Sequence, residues 1–336
     1  MGKRICAVAM VKNESDIIES FIRHTLTFCD QMLILEDRSD DNTLEIIDKL
    51  IAEGLPIVVF TNQETFGYYQ SNITTKLANL AIERYGADLV LPLDADEFLF
   101  APHGNEPRDI LEQCEGAEMY LVFQKNAMPQ QLRLEGNLFV PAYFTDYIVQ
   151  DISGCKCFVE RDVLEKEGAT IVTGNHMILL PDRKPKALQF GEALVLAHYP
   201  VRSAEQAMTK AIVGWSNSLC TYDEFVFKKP ILFDMLAKGE RFTSYHWFQM
   251  YELVKSKGHL DLADLQELAV ICAQMGQGEG QKPALEKLTG YHVPAIPLKY
   301  TDQAQAQKNF LNIILSNYEH IIAMWWTELK KERGLA

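Results

Sequence analysis

Apolar residues change their period along the chain, and the change separates a regular first hundred residues from a less regular remainder. Ile5 to Val11 is a continuous apolar run, the pattern of a strand buried on both faces. Asn13 to Leu26 follows with Ile17, Ile18, Phe21, Ile22 and Leu26 at helical spacing, and Asn13 or Ser15 is the expected N-cap. Met32 to Leu35 is the next buried strand, and Ser39-Asp40-Asp41-Asn42 caps a helix carrying Leu44, Ile47, Leu50 and Ile51, which Gly54 ends. Leu55 to Phe60 is a third strand, Ile73 to Tyr85 a helix stopped by Gly86, and Leu89 to Leu93 a fourth strand running into Asp94. This alternation predicts an α/β fold, a parallel sheet covered by helices.

From about residue 101 the spacing predicts short strands at Met119 to Phe123, Lys156 to Val159, Ala169 to Val172 and Ala193 to His198, hence a mixed sheet. After Ser203 the pattern becomes mainly helical, over 203–219, 230–237, 243–257, 260–275 and 303–331. The Gly- and Pro-containing stretch 276–300 is expected to be a linker or long loop. In the last helix Phe310, Ile313, Ile314, Tyr318, Ile321, Ile322 and Trp325 share a face. That face is expected to pack on the sheet or on a second copy, with a membrane surface as the alternative.

Charge adds a constraint. The net charge of −14 disfavours nucleic acid as a partner, because phosphate contacts need clustered Lys and Arg. No segment approaches the roughly 20 apolar residues of a membrane span. The basic start Met1-Gly2-Lys3-Arg4 precedes an apolar run too short for a signal peptide. The cysteines (6, 29, 114, 155, 157, 220 and 272) are scattered, without a zinc-type pair, and read as reduced core residues. A cytoplasmic protein is expected, with the inner-membrane periphery as the alternative site.

Chemistry concentrates at the predicted strand ends. Glu36-Asp37 follows the second strand and Asp94-Ala95-Asp96-Glu97 the fourth, where open parallel sheets bind ligands. Paired carboxylates at i and i+2 suit Mg²⁺ or Mn²⁺, which take oxygen ligands and complete their shells with phosphate and water. Composition alone supplies about one D-x-D by chance, so its position after a buried strand gives it meaning.

The segments "AMVKNESDIIESFIRHTL", "LILEDRSDDNTLEII" and "ADLVLPLDADEFL" resemble the family-2 glycosyltransferases of GT-A fold, most of all a bacterial branch carrying "DADEF". The match covers residues 4–100 well and 150–215 loosely. It departs from the family at Arg38, where Gly is usual, and at Met10-Val11-Lys12, where Pro-Val-Tyr is frequent. The resemblance implies a Rossmann-like mixed sheet over 1–220, split into a nucleotide-sugar half (1–100) and an acceptor half (101–220), with a helical region at 221–336. It places Asp37 on the base, Asp94 on the ribose and Asp96 on a metal–diphosphate. Val11, Asn13, Glu14, Lys76, Asn79 and Arg202 are expected to complete donor binding, with Lys210 and Lys156 as further cations facing the diphosphate.

His198, in "HYPVRSAEQAMTK", and His176 are candidate third ligands for Mn²⁺ or Mg²⁺ beside Asp94 and Asp96. The reaction implied is inverting transfer of a hexosyl group from a UDP- or GDP-sugar to a glycan or cell-envelope acceptor. The acceptor hydroxyl needs a general base, for which Asp146, Asp151, Glu205 and Glu97 are candidates, with Asp151 favoured. A sugar nucleotidyltransferase is disfavoured, because no Gly-rich phosphate loop lies near the N-terminus. A non-catalytic nucleotide- or glycan-binding module is disfavoured by the intact Asp37, Asp94 and Asp96.

Overall fold

The computed structural model describes residues 2–62, 70–149, 154–166, 168–220, 246–274, 283–306 and 312–319. In the first half the elements are β1 (Ile5–Val11), α1 (Ile18–Thr25), β2 (Gln31–Glu36), α2 (Thr43–Ala52), β3 (Ile57–Thr61), α3 (Gln70–Tyr85), β4 (Leu89–Pro92) and β5 (Glu97–Phe100). Next come α4 (Pro107–Glu112), β6 (Met119–Asn126), β7 (Asp146–Ile148), β8 (Cys155–Glu160), α5 (Arg161–Leu164), β9 (Thr170–Ile171), β10 (Ile178–Leu179), β11 (Ala187–Gln189) and β12 (Val195–His198). Three helices follow: α6 (Ala204–Cys220), α7 (His246–Lys257) and α8 (Leu262–Gln274).

The principal sheet runs β3-β2-β1-β4-β8-β6-β12-β5, with β11 added beside β6. Its first four strands are parallel, while β8 is antiparallel to both neighbours and β5 is antiparallel to β12. The α/β mixed sheet flanked by helices is therefore the architecture expected from the sequence. Alternation along β1 explains its uninterrupted apolar run. Ile5, Ala7, Ala9 and Val11 pack with Phe21, Ile22, Ile46 and Ile47 of α1 and α2, whereas Cys6 and Val8 pack with Leu77, Ala78, Ala81 and Ile82 of α3. A third cluster joins Ala207 and Ala211 of α6 to Met250, Val254, Leu265 and Leu268 of α7 and α8. Among the described residues no helix is long and apolar enough to cross a membrane.

Two local expectations change. α1 starts at Ile18, and neither Asn13 nor Ser15 caps it. Asn13 instead adopts a left-handed φ of 56° and accepts a hydrogen bond from the Asp40 amide (2.8 Å), because a short polar side chain tolerates that conformation. The 276–300 stretch, where described, is a strap laid along the domain. Leu285–Lys287 pairs antiparallel with β7, the His292 amide donates to Ala101 O (3.1 Å), and the Lys299, Tyr300 and Thr301 amides all donate to the buried Glu19 carboxylate at 2.8 Å. Arg23 completes that carboxylate's partners (2.9 Å).

Cys6, Cys29, Cys114 and Cys157 are buried, and with Cys155 and Cys272 they are free thiols. The expected helix at 230–237 lies outside the described residues. So does most of the apolar face of the last helix, of which 303–306 and 312–319 are described as helical.

Candidate functional site

The carboxyl ends of β1, β2 and β4 lie side by side, and the loops leaving them are braced together. The Asn13, Glu14 and Ser15 amides donate to Ser39 Oγ (2.9 Å), Thr43 Oγ1 (2.8 Å) and Asp41 Oδ2 (3.0 Å). Asp37, buried behind β2, accepts from Asn62 Nδ2 (2.8 Å), and its own amide donates to Val11 O (2.8 Å). Arg38 has φ 53°, a left-handed conformation that glycine adopts more readily than a residue with a side chain. A side chain there costs about 1 kcal/mol, partly offset by the Arg38 Nη2–Asp37 Oδ1 contact at 3.4 Å.

After β4 the chain turns tightly. The Glu97 amide donates to Asp94 O (3.1 Å), the Asp94 amide to Glu97 Oε2 (3.0 Å), and the Tyr199 amide to Asp96 O (2.8 Å). Pairing of β5 with β12 sets His198 opposite Glu97, and pairing of β12 with β6 sets Asn126 opposite His198.

The two carboxylates of the D-x-D face different partners. Asp94 accepts from Gln70 Nε2 (3.0 Å), Asn175 Nδ2 (3.3 Å) and Lys156. Lys156, 2% exposed, also lies 3.1 Å from Glu97. Asp96 Oδ2 is approached by Lys210 Nζ at 2.7 Å, His198 Nε2 at 3.5 Å and Arg202 Nη1 at 3.8 Å. Burial works against the Asp96 charge, but the neighbouring cations, Lys210 first, outweigh it and hold the carboxyl well below its usual range. Burial likewise works against the Lys210 charge, and Asp96 more than restores it.

Several expected site residues have other employment. Arg202 is buried and fully engaged: it grips Asp16 through two bonds (2.7 and 2.8 Å), donates to Glu14 Oε2 (2.7 Å) and reaches Tyr199 O (3.2 Å). It pins the β1 loop to the start of α6 and is not free to bind phosphate; Glu14 belongs to the same pin. Burial pushes the Glu14 carboxyl up, to about 8, against Arg202, which lowers it. Glu97, 1% exposed, is held by Gln124, Lys156 and the Asp94 amide, so it braces the turn and is not placed to serve as a base.

Glu205 pairs with Arg133 on the surface, and Asp146 accepts from Gln130 (2.5 Å). Lys76 is exposed on α3, and Asn79 lines a separate cleft with Glu83, Leu164 and Lys166. Asp151 lies outside the described residues. His176 shares a hydrogen bond between Nδ1 and Cys155 O (2.6 Å), and its Nε2 packs on Gly174, where an added Cβ would fall 2.4 Å away. That ring is committed to its own turn.

Gln70, Asn62, Gln124, Asn126 and Asn175 are the functional neighbours that sequence reasoning missed. Neutral amides leave no charge pattern, and only strand register puts Asn126 beside His198.

A Mg²⁺ or Mn²⁺ ion fits one pair of donors here. His198 Nδ1 lies 2.7 Å from Asn126 Oδ1, so a neutral ring donates there and turns its Nε2 lone pair toward Asp96 Oδ2. Two acceptors facing each other at 3.5 Å are within about 0.5 Å of the spacing of adjacent ligands on an octahedral ion. Among the described residues no group of three or more His, Cys, Asp or Glu could hold a metal unaided. Such an ion would therefore need phosphate or water oxygens for the rest of its shell.

No family model matches this chain, and no curated protein does. Among solved structures it is similar to glucosyl-3-phosphoglycerate synthase from Mycobacterium tuberculosis, in complex with Mn²⁺, UDP and phosphoglyceric acid. That likeness has 21% identity over 37% of this chain and 44% of the synthase, so it spans less than half of that protein, with a TM-score of 0.25. The mannosyltransferase PcManGT from Pyrobaculum calidifontis, in complex with GDP-Man and Mn²⁺, shows 11% identity over 81% of each chain and a TM-score of 0.36. HddC from Yersinia pseudotuberculosis shows 11% identity over 59% of this chain and 93% of its own, with a TM-score of 0.33. Identities and TM-scores this low bear on neither the substrate nor the reaction of this chain.

Proposed function

We propose that this chain is a GT-A glycosyltransferase that binds a nucleotide-sugar donor at the carboxyl ends of β1, β2 and β4. The observation that carries the reading is the Asp96–His198 pair, an oxygen and a nitrogen ligand set at the lip of a parallel sheet beside two lysines. Asp37, fixed by Asn62, takes the base. Asp94, steadied by Gln70 and Asn175, takes the ribose. A divalent cation on Asp96 and His198 would supply charge neutralisation for the departing nucleoside diphosphate.

The chain's own residues do the rest. Glu97 and Lys156 hold the turn rigid from beneath, and Arg202 fixes the β1 loop against α6 so that the lip keeps its shape. Lys210 contributes a point charge to the phosphates. Asp151 is proposed as the base toward the acceptor hydroxyl. Its place in sequence between β7 and Lys156 supports that role, since Lys156 touches Asp94. Inversion at the anomeric carbon, a hexosyl donor, a glycan or cell-envelope acceptor and a cytoplasmic setting complete the proposal.

Thermal shift with Mn²⁺ and a panel of nucleoside diphosphates tests it. UDP or GDP should raise the melting temperature only with metal present, and Asp96→Ala should abolish the shift. A protein indifferent to every nucleotide would sink the reading.

A further inference from the structure

Three nitrogen groups crowd Asp96 Oδ2, and they differ in their freedom to leave. Arg202 is locked by its bonds to Asp16 and Glu14, and His198 by Asn126. Lys210, on the second turn of α6, has Asp96 as its one ion-pair partner among the described residues and keeps its side chain 24% exposed. Its ammonium sits on the oxygen that faces His198 Nε2, the position that a cation bridging Asp96 and His198 would use.

We propose that Lys210 is a resident counter-ion that competes with the divalent cation for Asp96 until a nucleoside diphosphate gives the ammonium another anion to hold. The idea rests on the donor-binding reading above. One carboxylate cannot neutralise an ammonium and a divalent ion together, and two cations around one oxygen repel strongly in a half-dry site. A diphosphate changes that balance by bringing its own oxygens. The lysine stem is flexible enough to carry Nζ from Asp96 to those oxygens, whereas the braced Arg202 fork is not.

Cation and nucleotide binding are then coupled, each tightening the other by the same factor. Without nucleotide the lysine keeps the lip closed to adventitious metal. With nucleotide the same lysine becomes part of the donor's grip.

The test is Mn²⁺ binding to the full chain, followed by the spin-resonance signal of free Mn²⁺, alone and with saturating UDP or GDP. Wild-type protein should bind Mn²⁺ weakly alone and at least about tenfold more tightly with the nucleotide. Lys210→Met and Lys210→Gln should bind Mn²⁺ alone about tenfold more tightly than wild type and show a smaller enhancement by the nucleotide. Lys210→Arg, which keeps the charge, should stay weak. Neutral variants that bind Mn²⁺ alone no better than wild type overturn the competition.

Should the neutral variants fail to fold, wild-type protein still decides. Amine labelling of Lys210, read by mass spectrometry, should rise when Mn²⁺ is added and fall when UDP or GDP follows; labelling indifferent to Mn²⁺ overturns the idea. Failure of the parent reading looks different: Mn²⁺ displaces Lys210 while no nucleotide binds. Mn²⁺ binding to neither wild type nor variant overturns both.

Discussion

β5 separates two ways of burying an ionisable group. Beside the buried Asp96 the protein has installed Lys210 and Arg202, and the carboxylate keeps its charge. His24 is buried against phenyl rings instead, with Phe28, Phe98, Phe100 and Phe139 at centroid distances of 5.1 to 5.6 Å. Among the described residues its ring bonds one partner, Leu99 O at 2.9 Å, and Nδ1 has none. Burial pulls the His24 imidazole down to about 4, against the pull of that carbonyl, so the ring stays neutral. Equal burial therefore yields opposite states. Counter-charges decide which region can do electrostatic work and which only fills space.

The sharpest way to break the contrast is to remove a counter-charge. Arg202→Met leaves Asp16 and Glu14 without their common partner and should cost about 3–5 kcal/mol in urea unfolding at pH 7. A loss near that of a surface substitution would show that the pin is solvated.

Acid is the second lever. His24 has a folded value below its ordinary 6.5, so the unfolded chain binds more protons between pH 6.5 and 4. Stability should fall as pH drops through that window, by about 3 kcal/mol from this residue. His24→Leu should flatten that part of the stability profile, as read by thermal melts from pH 7 to 4.

Glu97 supplies the smallest and opposite effect. Burial raises its carboxyl to about 7, against Lys156, which lowers it. The folded chain thus holds the extra proton above the ordinary 4.5, and stability from this group falls as pH rises toward 7. Glu97→Gln should gain about 2.5 kcal/mol relative to wild type between pH 5 and 8. Parallel profiles for the two proteins would mean that Lys156 keeps Glu97 ionised throughout.

The sequence disclosed the sheet better than the site. β1 to β4 were readable because each strand is buried between two helix layers, which leaves an unbroken apolar run. β5 was missed, since Glu97 looks like one more acid after Asp94 and Asp96 until β12 pairs with it from about a hundred residues downstream. The same long-range pairing moves Glu97 from candidate base to brace. Arg202 looked available for phosphate because a charged residue beside a helix start is usually solvated. Its two carboxylate partners come from the loop after β1, at a separation no local pattern records. Only its neighbours in "HYPVRSAEQAMTK" set His198 ahead of His176 in the sequence, whereas in the fold Asn126 in one case and Gly174 in the other separate them.

The Glu19 carboxylate ties α1 to a backbone segment 280 residues further along the chain. Contacts of such sequence separation are the slow ones in folding, because the whole intervening chain must be drawn in before they form. During synthesis the first helix can meet its sheet early, yet Glu19 must wait for the arrival of residues 299–301 to fill its bonds. Until then the first folded piece carries an anion prepared for burial and not yet answered.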